Sequence, residues 1–179
     1  AHVMKLVEDD AWCIQEKFDG RRLLVRKTGR EIVGINRKGL TVALPKPIVA
    51  DLLLMNSDFV LDGEVIGDLY HIFDILGVNS ADTRALPYRG RVKELIQLVY
   101  SFGYAKERAG ETSTAIQLVE VVTGHEKKAR FLLDLNTRNA EGAVFKRLDA
   151  PYTPGRPSSG GTALKYKFVA TASCVVLAV

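Results

Sequence analysis

Lys17 stands in the run Gln15-Glu16-Lys17-Phe18-Asp19-Gly20-Arg21-Arg22, among apolar neighbours and with two arginines close behind it. An amine attacks an electrophile only when unprotonated. Desolvation or nearby cations lower its pKa, so this setting suits a nucleophile. A solvated lysine beside a tight turn is the plainer reading of the same residues. A second basic group, Lys165-Tyr166-Lys167, reads as strand, with both lysines on one face and Leu164, Tyr166 and Phe168 on the other. Two ammonium groups on one face suit an anion such as phosphate, and Arg22 or Arg37 would complete a clamp for phosphoryl-group chemistry. A Lys-x-Lys edge equally protects a strand against stray pairing. Asn36-Arg37-Lys38-Gly39, Asp62-Gly63-Glu64 and the run from Glu141-Gly142 to Lys146 are the other polar clusters at strands or their ends. Glu64 and Glu141 offer oxygen ligands for Mg²⁺ or acceptors for a ribose hydroxyl.

The elements that must carry these residues follow from periodicity and turn chemistry. Residues 12–18 and 23–25 are apolar or β-prone, and the Asp19-Gly20 pair between them predicts a hairpin. Turns at Thr28-Gly29-Arg30 and Arg37-Lys38-Gly39 flank a strand over 31–36, which makes the opening third an antiparallel meander. Pro47 starts a short helix that ends near Asn56. Strands are predicted over 59–66 and 69–76, each interrupted by acidic residues that need partners or a task when buried. Helical spacing over 89–102 and 125–135 gives two further helices, the first a surface helix, and 116–122 is β-like. A strand over 143–146 is followed by a Pro-, Gly- and Ser-rich stretch at 152–161, read as a mobile surface loop, and by strands over 164–168 and 174–179.

With 179 residues, 47% of them hydrophobic, the chain suits one globular domain with a sizeable core. A net charge of +4 is compatible with a polyanionic partner without demanding one. Cys13 and Cys174 have neither zinc-site spacing nor a disulfide framework, which points to a reducing, intracellular compartment. No run reaches membrane-span length and no secretory leader is visible. Ala1-His2-Val3 ahead of Met4 reads as an added remnant. His71, His125, Trp12 and both cysteines read as packing or surface residues.

In order, KFDGRR, NRKG, LDGEV, HIFDIL, EGAVFK and LKYKF resemble the motif series of the covalent nucleotidyltransferases, most closely that of ATP-dependent DNA ligases. PYRGRVKELI resembles the ligase stretch after the third motif. The resemblance implies an α+β fold, with antiparallel β-sheets flanked by helices and the nucleotide site between them. It implies that Lys17 attacks the α-phosphorus of ATP and holds AMP as a phosphoramidate. Gln15 falls where the family often has an adenine-contacting glutamate, a departure that leaves adenine selection partly to backbone groups. Glu16 belongs to the same nucleotide site. Arg22 and Glu64 match ribose contacts, Phe73 the aromatic that stacks on the base, and Lys165 with Lys167 the pair on the α-phosphate. Arg37 matches a residue on phosphate or the DNA strand. Glu141, with Asp19, matches carboxylates near Mg²⁺ or Mn²⁺, and Arg156 in the loop would touch DNA.

The implied partners are ATP and nicked double-stranded DNA, engaged by a monomer with no membrane association. An adenylation domain would occupy 1–170, and 171–179 would begin a truncated OB-fold domain that in ligases carries a further basic motif. An RNA ligase, an mRNA-capping guanylyltransferase and a non-catalytic nucleic-acid-binding module are the rivals. Base preference and adduct formation separate them.

Overall fold

The computed structural model describes residues 2–108, 114–154 and 161–169. Two antiparallel sheets face each other across a cleft, and each has its own apolar core behind it. The small sheet consists of β1 (Trp12–Lys17), β9 (Gly142–Arg147) and β10 (Ala163–Lys167), with β9 in the middle. The large sheet runs β4 (Thr41–Val42), β3 (Glu31–Asn36), β2 (Arg21–Thr28), β5 (Phe59–Ile66), β6 (Leu69–Val78) and β7 (Ala81–Asp82). A short β8 (Ile116–Leu118) adds to β6 in parallel. Four helices, α1 (His2–Glu8), α2 (Lys46–Leu54), α3 (Tyr88–Arg108) and α4 (His125–Thr137), complete the described residues.

Strand alternation explains the division into two cores. Leu23 and Val25 of β2, Leu61 and Val65 of β5, and Tyr70, Ile72 and Ile75 of β6 turn one face of the large sheet to α2 and α3. There they meet Ile48, Leu52, Leu95, Leu98 and Phe102. Trp12, Ile14, Ala143 and Phe145 turn the back of the small sheet to Val7 of α1 and Leu135 of α4. Each such buried side chain contributes on the order of 1.5–3 kcal/mol, enough in sum for both layers to hold their own helices.

The expected hairpin at Asp19-Gly20 does not form. β1 pairs with β9, whereas β2 pairs with β3 and β5, so Asp19-Gly20 is a crossover between sheets. Two packing demands override the local turn signal: Trp12 and Ile14 are buried against α1 and α4, and Leu23 and Val25 against α2 and α3. Gly20 makes the crossing fit. A Cβ there would lie 2.5 Å from the Val65 carbonyl oxygen and 2.8 Å from Ile66 Cγ1.

The remainder of the meander forms as expected through β2, β3 and β4. α2 begins with Pro47 in its first turn, and α3 and α4 cover the two predicted helices, α3 running on to Arg108. The β-like segment shortens to β8, after which Val122 exchanges two 2.9 Å backbone hydrogen bonds with Ile14. α1 and β7 were not foreseen. Val3, read as a remnant, packs against the small-sheet core. Arg156, Cys174, the strand at 174–179, the domain boundary at 171 and most of the 152–161 loop lie outside the described residues.

Candidate nucleotide site

Register in the small sheet brings the basic residues together. Antiparallel pairing sets Lys17, Gly142 and Lys167 side by side on one rung, Gln15, Val144 and Lys165 on the next, and Cys13, Lys146 and Ala163 on the third. Directly opposed residues share a face, so Gln15, Lys17, Lys146, Lys165 and Lys167 all belong to one side of the sheet. Gly142 allows β10 to lie this close, since a Cβ there would be 2.0 Å from the Tyr166 carbonyl oxygen. Glu141, just before β9, contacts the Lys17 ammonium through one carboxylate oxygen and that of Lys167 at 2.8 Å through the other.

The large sheet supplies the opposite wall through Arg22, Glu64 and Phe73. A β-bulge in β6 places Phe73: Asp62 pairs with Asp74 and Gly63 with Ile72, leaving Phe73 as the extra residue. Bulges re-aim side chains, and here both Phe73 and Asp74 line the cleft. The first turn of α3 adds Tyr88 and Arg91, and Tyr152 also lines the space. The cleft measures about 330 Å³, within the range of small-ligand sites.

The two strand aspartates have partners. Arg22 donates to Asp62 through Nε at 2.9 Å and Nη2 at 2.6 Å, and Arg91 donates to Asp74 at 2.8 and 3.1 Å. The hydrogen bonds donated to Asp62, more than its charge, hold the Arg22 guanidinium above its ordinary pKa against burial. Glu64 has no ion-pair partner among the described residues. Burial raises its pKa, although the charges of Arg37, Lys17 and Arg22 pull the other way. Among the described residues Lys165 also lacks a carboxylate partner, and burial together with Arg37, Lys17 and Arg22 lowers its pKa. Burial pushes Glu141 up, but hydrogen bonds from Lys167 and Lys17 outweigh it and hold the carboxyl below its usual range. One wall thus carries surplus positive charge beside a carboxylate that no ion pair engages among the described residues, a setting for a phosphorylated ligand.

Of the residues singled out from sequence, Gln15, Glu16, Lys17, Arg22, Arg37, Glu64, Phe73 and Lys165 line the cleft. Glu16 nonetheless has its carboxylate held by Arg138, at the C-terminal end of α4, at 3.1 and 2.7 Å. Glu141 and Lys167 stand outside the cleft lining; Glu141 contacts Lys17, which lines it, and pairs with Lys167. Asp19 is exposed on the crossover, and among the described residues no three His, Cys, Asp or Glu converge on a metal position. Sequence reasoning missed Tyr88, Arg91 and Tyr152, and noted Lys146 only within its cluster. Lys146 shared a strand face with Gly142, a usable signal; Tyr88 and Tyr152 offered none.

Comparison with known proteins agrees with this geometry. The model of the RNA ligase family matches residues 10–167. A probable DNA ligase of Streptomyces avermitilis is 31% identical over 204 residues, an alignment covering 94% of this chain and 37% of that protein. The chain therefore spans little more than a third of that relative's length. Mycobacterial DNA ligase D complexed with ATP superposes with a TM-score of 0.64 at 20% identity, over 88% of this chain and 54% of that one. Chlorella virus DNA ligase-adenylate gives 0.65 at 18% identity, over 92% of this chain and 63% of that one. The expected α+β architecture is thus the fold of solved ligase domains. With the family's sequence pattern matched across nearly all of its described length, this chain belongs to the RNA ligase family.

Proposed function

We propose that the chain is the adenylation domain of an ATP-dependent DNA ligase, with Lys17 as the nucleophile. The observation that carries this reading is the placement of Lys17 at a nucleotide-sized cleft, in contact with Glu141 and one rung from Lys165. Lys17 Nζ forms a bond to the α-phosphorus of ATP as the bond to pyrophosphate breaks. Its proton passes to the Glu141 carboxylate it touches. Lys165 stabilises charge on the α-phosphate oxygens without reorganisation, and Arg37 screens the outer phosphates or the DNA strand. Glu64 accepts a ribose hydroxyl, and Phe73 offers the base a flat surface. AMP then moves to the 5′-phosphate of a nick, and the 3′-hydroxyl displaces it as the strand is sealed.

Glu64 also fits a metal ligand, because its carboxylate has no ion-pair partner among the described residues, while Glu141 is already shared by two ammonium groups. Magnesium is commonly held by one or two carboxylates together with substrate phosphates, which agrees with the absence of a larger ligand cluster among the described residues. When bound, such an ion would neutralise phosphate charge and polarise the phosphoryl oxygens. This reading extends to an intracellular monomer whose OB-fold domain completes the grip on nicked DNA.

The test is the intact mass of the protein after incubation with ATP and Mg²⁺. A gain of one AMP that disappears in Lys17→Ala is expected; an adduct that survives the substitution overturns the assignment. Supplying nicked DNA or nicked RNA to the charged protein identifies the strand. The RNA ligase description of the family favours RNA as the second reading.

A further inference from the structure

Lys17 is the last residue of β1, and its two chain neighbours are held by different layers of the molecule. Side chains alternate along a strand, so Glu16 leaves β1 on the face opposite Lys17. There its carboxylate accepts from the two Nη atoms of Arg138 at 3.1 and 2.7 Å. Arg138, just past α4, also donates through Nε to Asp134 at 3.0 Å. Phe18, on the other side of Lys17, stacks on His71 of β6 in the large sheet, with ring centroids 4.1 Å apart and planes 21° from parallel. Burial lowers the His71 pKa, opposed by the charge of Glu16, so at pH 7 the ring stacks in its neutral form.

Little else fixes this end of the strand. β1 lies at the edge of the small sheet, and among the described residues of β1 only Ile14 pairs on both sides, with Phe145 of β9 and with Val122. From Gln15 to Lys17 the backbone is paired to β9 alone, and after Lys17 the chain crosses to β2. The backbone position of Lys17 is therefore set by one sheet neighbour, Gly142, and by whatever holds residues 16 and 18. Without Arg138, residue 16 can follow residue 18 toward the large sheet. Without the stack, residue 18 no longer ties Lys17 to the wall that carries Arg22 and Glu64.

In-line attack on phosphorus tolerates little displacement, since the reacting atoms must stand about 3–3.5 Å apart with their orbitals aligned. Resting on the nucleophile reading above, we propose that Arg138 and His71 are positioning residues: acting through Glu16 and Phe18, they form a joint that fixes Lys17 relative to both walls of the cleft. Neither of them lines the cleft, so neither acts on the nucleotide directly.

Single-turnover formation of the lysyl-AMP adduct at saturating ATP, read by intact mass, tests this in Arg138→Met, His71→Ala, their double variant and His71→Phe. ATP affinity and thermal melts are measured on each. Either single loss should slow adduct formation by about 100-fold, the effect of a shift of about 1 Å, while ATP binds as in the wild type. The Arg138 side chain is 45% exposed, and exposed ion pairs contribute little to stability, so Arg138→Met should melt with the wild type. A joint fails when either half is lost, so the double variant should be little slower than the singles. His71→Phe keeps a ring on Phe18 and should keep the wild-type rate, a comparison that stands even if His71→Ala melts low. Wild-type rates in Arg138→Met, effects that multiply to about 10,000-fold in the double variant, or His71→Phe as slow as His71→Ala overturns the proposal while leaving Lys17 the nucleophile. No adduct in the wild type overturns both readings.

Discussion

Replacing Gly142 by alanine separates the placement of the lysines from their mere presence. An added Cβ would stand 2.0 Å from the Tyr166 carbonyl oxygen and 2.9 Å from Lys167 Cα. Close carbon–oxygen approaches between strands are about 3.3 Å, so β10 must move away by about 1.3 Å. β9 cannot absorb the shift, because it is also paired to β1 along six residues. β10 is an edge strand, and it carries Lys165 and Lys167 with it while Lys17 stays on β1. Misplacement by about 1 Å at a reacting centre costs about 100-fold in rate. The expected result is single-turnover formation of the lysyl-AMP adduct slowed by about 100-fold, read by intact mass at saturating ATP. The fold should survive with a loss of about 1–3 kcal/mol, typical of overpacking, since the large-sheet core contains no residue of β10. A variant that adenylates at the wild-type rate would refute the argument that Gly142 sets the lysine geometry.

Three further perturbations follow from the partners already described. Asp74→Ala strands the buried Arg91 guanidinium, whose side chain is 4% exposed, and should cost about 3–5 kcal/mol in denaturant unfolding. A loss below about 1 kcal/mol would mean the pair is not needed. Glu64 has a raised native pKa, so above its ordinary value of 4.5 the native state binds more protons than the unfolded chain, and stability falls as pH rises through that window. Glu64→Gln should therefore melt higher than wild type at pH 7, with the gap closing toward pH 4.5, while binding ATP more weakly; an equal melt at pH 7 contradicts it. Lys128→Met removes the donor to the carbonyls of Leu6, Asp9 and Trp12 at 3.1, 2.7 and 2.9 Å, each of which costs about 1–3 kcal/mol if left unpaired. Faster amide exchange confined to α1 and the start of β1 is expected, and unchanged protection there would sink the idea.

The elements themselves were legible because their signals are local. Proline in the first turn of α2 and the apolar spacing of α3 and α4 required no knowledge of the rest of the chain. Pairing was less legible. Asp19-Gly20 between two β-prone runs looks the same whether the chain turns back or crosses to another sheet, because a period of two does not name the partner strand. The deciding facts are distant: Ile14 pairs with Phe145, and Arg22 with Glu64. β7 is too short, at two residues, to leave a pattern.

The site divides along the same line. Its cationic face was readable because Lys17, Lys165 and Lys167 sit at strand spacing, and register need only lay β1 and β10 on either side of β9. The base-facing end was not, because strict alternation sends Phe73 and Asp74 to opposite faces, and only the bulge in β6 gives both to the cleft. Tyr88 reaches Gln15 across 73 positions of sequence, so neither residue's neighbours hint at the contact. That asymmetry has a physical origin. Phosphate is recognised by charge, which residue type alone announces, whereas a base is recognised by the direction of single protons, and those are set by partners that only the folded chain brings together.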